Sequence, residues 1–229
     1  MLSHSAPAQG GVLLVDDHPI VRFGFIALLR QADESLVFHE TDNAKDAMEI
    51  ARRHAPSIAL VDLSLAGALS LELIKRMRLA APSTAILVVS MHDERLYAER
   101  VLKAGARGYV MKQIAAKAIA EAVQTVLEGR VWLSKELRED LVNRIADADS
   151  QAGSGGFHSL SDREVSVFRL ISLGMKKSEM AKELCLSPNT VETYRSNIKQ
   201  KMGIASGSEL YRRAFLHFQD GASLTDAKE

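Results

Sequence analysis

Residues 12–19 read VLLVDDHP: an apolar run with no polar alternation delivers two adjacent carboxylates, Asp16 and Asp17, and then a proline that can open a helix. Such a run suits a strand buried on both faces. The design returns downstream. IALV (58–61) runs into Asp62, AILVVS (85–90) ends on Ser90, and GYVM (108–111) runs into Lys112, while LVFHE (36–40) supplies one more strand-like run. Helical periodicities at 19–30, 44–54, 69–79, 94–103 and 114–128 separate them. Crossovers of about ten residues between buried strands require a parallel sheet. The expected fold is therefore α/β, a doubly wound five-stranded parallel sheet of the flavodoxin-like kind, with its site above the carboxyl ends of the strands.

Further on the pattern becomes all helical. Ser134 begins a helix in which Leu137, Leu141 and Ile145 share a stripe, and this gives way to ADADSQAGSGG (146–156), whose small, polar, glycine-rich composition reads as a flexible tether. Ser161 and Glu164 then form a capping box, with Leu160 placed to staple against Val165, for a helix reaching about Leu173 and stopping at Gly174. A second helix covers 177–184, a third runs from the Ser187 cap and Pro188 to Met202 before Gly203, and a last one covers about 206–218 with Leu210, Ala214 and Phe218 in one stripe. Only Cys185 and Leu186 separate the second from the third, the spacing of a helix-turn-helix. The expected organisation is an α/β domain at 11–130, a linker helix and tether at 131–158, and an all-α four-helix module at 159–220.

At 229 residues and 47% hydrophobic content, there is apolar material for two cores. Acidic and basic residues balance at 29 each, so total charge favours neither nucleic acid nor an acidic membrane. The distribution is more informative: residues 1–130 carry 15 of each sign, whereas residues 159–217 carry 10 basic against 6 acidic groups. Excess positive charge belongs to the helical module. A lone cysteine, Cys185, fits a reducing compartment, and MLSHSAPAQG at the start lacks both the cationic and the apolar portions of a signal peptide. With no apolar stretch near the ~20 residues of a membrane span, the expectation is a cytoplasmic protein that begins with a loose tail and does not engage membrane.

Asp16, Asp17 and Asp62 make an oxygen-donor cup suited to Mg2+. Asp62, alone at its strand tip, is the natural nucleophile toward a phosphoryl group. Ser90 can hydrogen-bond one phosphoryl oxygen and Lys112 can neutralise another. Tyr109 stands three residues before that lysine, placed to change burial when the phosphoryl group arrives. His18 and His92 each follow a strand tip, where solvent-facing or helix-start positions suit them better than ligation. An aspartate-dependent phosphatase would need an acid two residues after its nucleophile. Here that residue is Ser64, and the reading is not an enzyme.

In this order the groups resemble the receiver domain of two-component response regulators, and residues 11–218 as a whole resemble the NarL/FixJ class, whose output module is a LuxR-type helix-turn-helix. VDDHP (15–19) and GARGYVMK (105–112) carry the class-level likeness. The resemblance implies that Asp62 accepts phosphate from a sensor histidine kinase, that Asp16 and Asp17 help hold Mg2+, and that Ser90, Tyr109 and Lys112 respond. It also implies a homodimer formed through the last helix, double-stranded DNA as ligand, and RNA polymerase as a further partner. The chain departs from the family's D-x-x-x-P-G-x-x-G pattern after the phosphoacceptor, with Ala66 and Ser70 in place of proline and the last glycine and only Gly67 retained. Those departures leave open a second reading, a phosphorylation-independent DNA-binding regulator whose degenerate receiver serves dimerisation.

At about 100° per residue, Val191, Tyr194, Ile198 and Met202 fall on the core side of the third helix of the module. Glu192, Thr193, Ser196 and Gln200 fall opposite, flanked by Arg195 and Lys199, with Lys201 near the other edge and Thr190 in the first turn. That mixture suits base edges and phosphates in a major groove. Lys176 and Lys177 open the second helix against its dipole, a cost offset if a DNA phosphate approaches there. Cys185 takes a turn position that the family commonly fills with glycine. Glu192, an acid on the reading face, can accept from cytosine N4 but repels phosphate. Met175, Met180 and Met202 are read as core fillers.

Overall fold

The computed structural model describes residues 10–65, 68–146 and 156–219. The N-terminal tail, Ala66 and Gly67, and nearly all of the expected tether lie outside them. The chain divides into two compact units, Met1–Ala146 and Asp147–Glu229.

In the first unit the elements alternate: β1 (Val12–Val15), α1 (Pro19–Ala32), β2 (Phe38–Thr41), α2 (Ala44–His54), β3 (Ile58–Asp62), a two-stranded antiparallel hairpin of β4 (Ser64–Leu65) and β5 (Ala68–Leu69), α3 (Leu71–Ala80), β6 (Ala85–Ser90), α4 (Glu94–Ala104), β7 (Gly108–Met111), α5 (Ala115–Leu127) and α6 (Lys135–Ala146). The main sheet is parallel throughout, in the order β2-β1-β3-β6-β7. Strand order reverses between β1 and β3, so the crevice at the switch point opens beside Asp16 and Asp62. All of β1 and β3 is buried, as the unbroken apolar runs require. Helix α3 starts at Leu71 rather than 69 because the hairpin, pairing Ser64 with Leu69 and Leu65 with Ala68, takes those residues. Ser70 has φ −78°, a conformation that needs no glycine, and its amide donates to the Leu63 carbonyl at 2.7 Å.

Beyond α5 the chain returns along the free edge of β7. The Trp132 amide donates to the Arg107 carbonyl at 3.0 Å, the Tyr109 amide donates to the Trp132 carbonyl at 3.1 Å, and Trp132 pairs with Gly108 in a parallel bridge. A Cβ on residue 108 would lie 2.7 Å from the Trp132 oxygen and 2.8 Å from Leu87 Cδ1, so glycine is what permits this close approach. Residues 131–146, expected as a linker, thus pack within the first unit.

In the second unit a 3-10 turn (Phe157–Ser159) precedes α7 (Asp162–Ser172), α8 (Lys177–Glu183), α9 (Pro188–Met202) and α10 (Gly207–Gln219). Val165, Phe168, Met180, Val191, Ile198, Leu210 and Ala214 are buried at its centre. The expected capping box forms: the Ser161 amide donates to Glu164 Oε2 at 2.6 Å and the Glu164 amide donates to Ser161 Oγ at 3.4 Å. Cys185 sits in the turn between α8 and α9 with φ +54°. A Cβ is strained there, so Cys185→Gly is expected to stabilise this unit by about 0.5–1 kcal/mol, read as a raised denaturant midpoint with an unchanged slope. No helix among the described residues is long and apolar enough to cross a membrane.

Candidate functional sites: an acid pocket and a helical face

The sheet register sets the strand ends level, pairing Val15 with Val61, Asp62 with Val89 and Ser90 with Met111. The next residues therefore meet above the sheet. Lys112 Nζ lies 2.7 Å from Asp16 Oδ2 and 2.8 Å from Asp62 Oδ2, with all three side chains under a tenth exposed. Burial pushes the Asp62 carboxyl above the ordinary carboxylate range, against the hydrogen bond and charge of Lys112, which pull it down. Burial pulls the Lys112 ammonium down, but its bonds to Asp16 and Asp62 prevail and hold it above the usual lysine value. Asp16, Asp17, His18 and Asp62 each present a ligand atom within 4.8 Å of the others. Three carboxylates in one cup fit a hard divalent cation that keeps water for its remaining positions. His18 caps the start of α1, as its position suggested, yet its Nδ1 also stands 3.1 Å from Asp16 Oδ1 and 2.8 Å from Asp17 Oδ1.

A second layer joins the pocket to α4. Ser90, fully buried, accepts from the His92 amide at 3.1 Å, and His92 Nε2 lies 2.9 Å from Ser64 Oγ. Tyr109 is also fully buried, and its hydroxyl donates to the His92 carbonyl at 2.9 Å. Burial pushes that phenol well above its ordinary value, against the hydrogen bond from Ser90 that pulls it down, so the hydroxyl keeps its proton. The sequence pattern anticipated Ser90, Tyr109 and Lys112. It did not anticipate Ser64 and His92, whose link bridges the hairpin to the segment entering α4 and has no signal in spacing.

On α9, Val191 and Ile198 are buried and Tyr194 and Met202 half-buried, while Glu192, Thr193, Ser196 and Gln200 are exposed, as the helical wheel predicts. Lys176 and Lys177 are exposed at the start of α8, and Glu179 offsets their unfavourable place by accepting from the Lys176 amide at 2.7 Å. Glu192 Oε2 lies 4.0 Å from Lys177 Nζ and 3.9 Å from Arg195 Nε, between cations of both helices. Thr193 donates its hydroxyl to the Asn189 carbonyl at 3.1 Å, and Thr190 Oγ1 lies 2.8 Å from Ser187 Oγ. Lys201 is a brace rather than an edge contact. Its Nζ reaches Glu164 Oε2 at 2.7 Å, tying the end of α9 to the capping box of α7, and despite the upward pull of burial this pairing and the Ser161 bonds hold Glu164 below the usual carboxylate range.

A doubly wound sheet with acids at its switch point, joined in one chain to a helix-turn-helix unit, defines a regulator of two modules. The family model described as the response regulator receiver domain matches residues 12–124, and that of bacterial regulatory proteins of the luxR family matches residues 158–214. The chain belongs to the response regulators that couple a receiver to a LuxR-type module. It is 31% identical over 206 residues to the response regulator GacA of Pseudomonas aeruginosa, spanning 90% of this chain and 95% of that protein. It is 33% identical over 208 residues to the Fimbriae Z protein of Salmonella typhimurium, spanning 90% and 96%. A solved structure of two RcsB dimers bound to two parallel DNAs matches with TM-score 0.54 at 25% identity, covering 90% of this chain and 97% of that one.

Proposed function

We propose that this protein is a cytoplasmic transcription regulator in which phosphorylation of Asp62 by a sensor histidine kinase controls sequence-specific binding of double-stranded DNA. The observation that carries the reading is the single ammonium of Lys112 held between Asp16 and Asp62 at the switch point. An Asp62 carboxylate oxygen attacks the phosphorus of a phosphoimidazole. The P–N bond breaks as the P–O bond forms, and the imidazole leaves with its electron pair and takes up a proton. Asp16, Asp17 and Asp62 would hold Mg2+, which neutralises charge on the carboxylates and the incoming phosphoryl oxygens. Lys112 then counters one phosphoryl oxygen and the Ser90 hydroxyl donates to another. That rearrangement draws on the Ser90–His92–Tyr109 bonds and so alters the surface around α4 and α5.

For the second module, α9 enters the major groove with Glu192 and Ser196 toward base edges and Thr190, Thr193, Arg195 and Lys199 toward bases or phosphates, while Lys176 and Lys177 meet the backbone. A module of this size buries little surface, so two copies on paired half-sites are expected. The RcsB dimers on DNA support that arrangement, as do the exposed Tyr211, Phe215 and Leu216 of α10, at 45, 38 and 45%. RNA polymerase is the partner through which a bound dimer acts.

The test is intact-mass measurement after incubation with acetyl phosphate and Mg2+. Wild type gains the mass of one phosphoryl group and Asp62→Asn gains none, and capture of genomic fragments responds to the donor only in wild type. Equal labelling of the Asp62→Asn protein overturns the assignment.

A further inference from the structure

We propose that residues 132–137 form a clasp that holds α6 against the start of α4, and that phosphorylation at the acid pocket opens it; the opening step rests on the phosphoacceptor reading of Asp62. The jaws are Glu94 and Ser134. Glu94 is the first residue of α4 and is only 7% exposed, an unusual place for a carboxylate that could point into water. The Ser134 hydroxyl donates to Glu94 Oε1, and Ser134 Oγ accepts from the Leu137 amide at 3.1 Å, so the serine caps α6 while gripping α4. A second tie runs from Arg95 Nε to Asp140 Oδ2 at 3.5 Å. Leu133 and Leu137, next to Ser134 and on the first turn of α6, are buried, at 5% and 4% exposure.

The other end of the clasp is fixed to β7. There the Tyr109 amide donates to the Trp132 carbonyl and the Trp132 amide donates to the Arg107 carbonyl. Residues 132 and 134 thus join two elements, one at Tyr109 itself and the other two residues beyond His92. Both of those residues belong to the hydrogen-bonded layer that ends on Ser90. If the Ser90 hydroxyl turns to a phosphoryl oxygen, the segment 90–94 and Tyr109 lose their present arrangement together, and the clasp is sheared at both of its attachments.

Its chemistry suits release better than permanent bracing. Glu94 Oε2 is buried with no hydrogen-bond partner among the described residues. Burial above all pushes that carboxyl up, with the hydroxyl and backbone bonds of Ser134 only partly countering it. A fixed brace would complete the second oxygen or dispense with the charge, whereas a half-satisfied carboxylate keeps the docked state close in free energy to the open one. Opening would add the twelve residues of α6 to the connection that leads into the second module, changing its reach and effective concentration.

Hydrogen exchange of the full-length protein, with uptake checked by intact mass, tests this. In wild type, acetyl phosphate and Mg2+ should raise exchange across residues 132–146 by about tenfold or more. Glu94→Leu, which leaves Ser134 free to cap α6, should show the raised exchange without any donor while still taking up a phosphoryl group. Glu94→Gln, near-isosteric and uncharged, should stay docked without donor and release less with it. Full phosphoryl uptake with no change across 132–146, or wild-type exchange in Glu94→Leu, overturns the clasp. Failure of wild type to gain mass overturns instead the phosphoacceptor reading, and with it the opening step, while the Glu94→Leu comparison still decides whether the docking contact exists.

Discussion

Lys112→Met is expected to destabilise the first unit by about 3–5 kcal/mol at neutral pH, the cost of removing one partner from a buried charge pair. Its Nζ is within 2.8 Å of both Asp16 and Asp62, each only 5% exposed at the side chain. Without it, two buried carboxylates face one another and the nearby Asp17 with no ammonium between them. The deficit must depend on pH. The Asp62 carboxyl already lies above its unfolded value through burial, and the Lys112 bond and charge are the largest influences holding it down. Removing them raises it further. A carboxyl whose folded pKa exceeds its unfolded pKa contributes stability that is present at low pH and lost as pH rises through the folded value. The variant should therefore be weakest near neutrality and approach wild type as pH falls into the carboxylate range.

Urea denaturation at several pH values reads this directly. A second substitution, Asp62→Asn, should restore much of the loss, because the cost lies in the surviving charges rather than in the missing methylenes. Mg2+ should stabilise Lys112→Met by supplying the charge that the ammonium no longer brings. A deficit independent of pH would show instead that Lys112 acts mainly through packing.

Much of this pocket is legible in the sequence. Strand ends are readable because buried parallel strands are unbroken apolar runs, and the polar residue that follows each run must project from the same sheet edge. Asp16, Asp62, Ser90 and Lys112 were found in that way. The α9 wheel was readable for a similar reason, since burial of Val191 and Ile198 sets the rotation of the whole helix. What escaped were contacts between residues far apart in the chain and lacking a period. The Lys201–Glu164 pair joins two helix ends, the Ser64–His92 link crosses from a hairpin to a loop, and Trp132 finds Gly108 only because a chain segment doubles back. The departure at Ser70 leaves the backbone unstrained, because its φ of −78° needs no glycine. The departure at Cys185 was the meaningful one, because its backbone does occupy the left-handed region.

The same distinction between reading face and brace gives the second large effect. Replacing Lys176, Lys177 and Lys199 together with alanine is expected to lower the affinity of the full-length protein for a random-sequence duplex about a hundredfold near physiological salt, and to reduce the log–log salt slope by about three. Lys176 and Lys177 stand exposed at the start of α8 and Lys199 is half-exposed on α9, so removing the charges leaves no buried partner behind. Lys201→Ala should do the opposite. Its ammonium is already spent on Glu164, a carboxylate only 3% exposed at the side chain, so the salt slope should stay near wild type while the second unit loses stability. Glu192→Gln completes the set, because the acid both repels phosphate and engages Lys177 and Arg195, so its neutralisation should strengthen binding to random sequence. Fluorescence anisotropy across a series of salt concentrations separates these outcomes. If Lys201→Ala flattened the slope as much as Lys199→Ala alone, the duplex would have to approach the α7 side of α9, and the orientation of the reading face would be reversed.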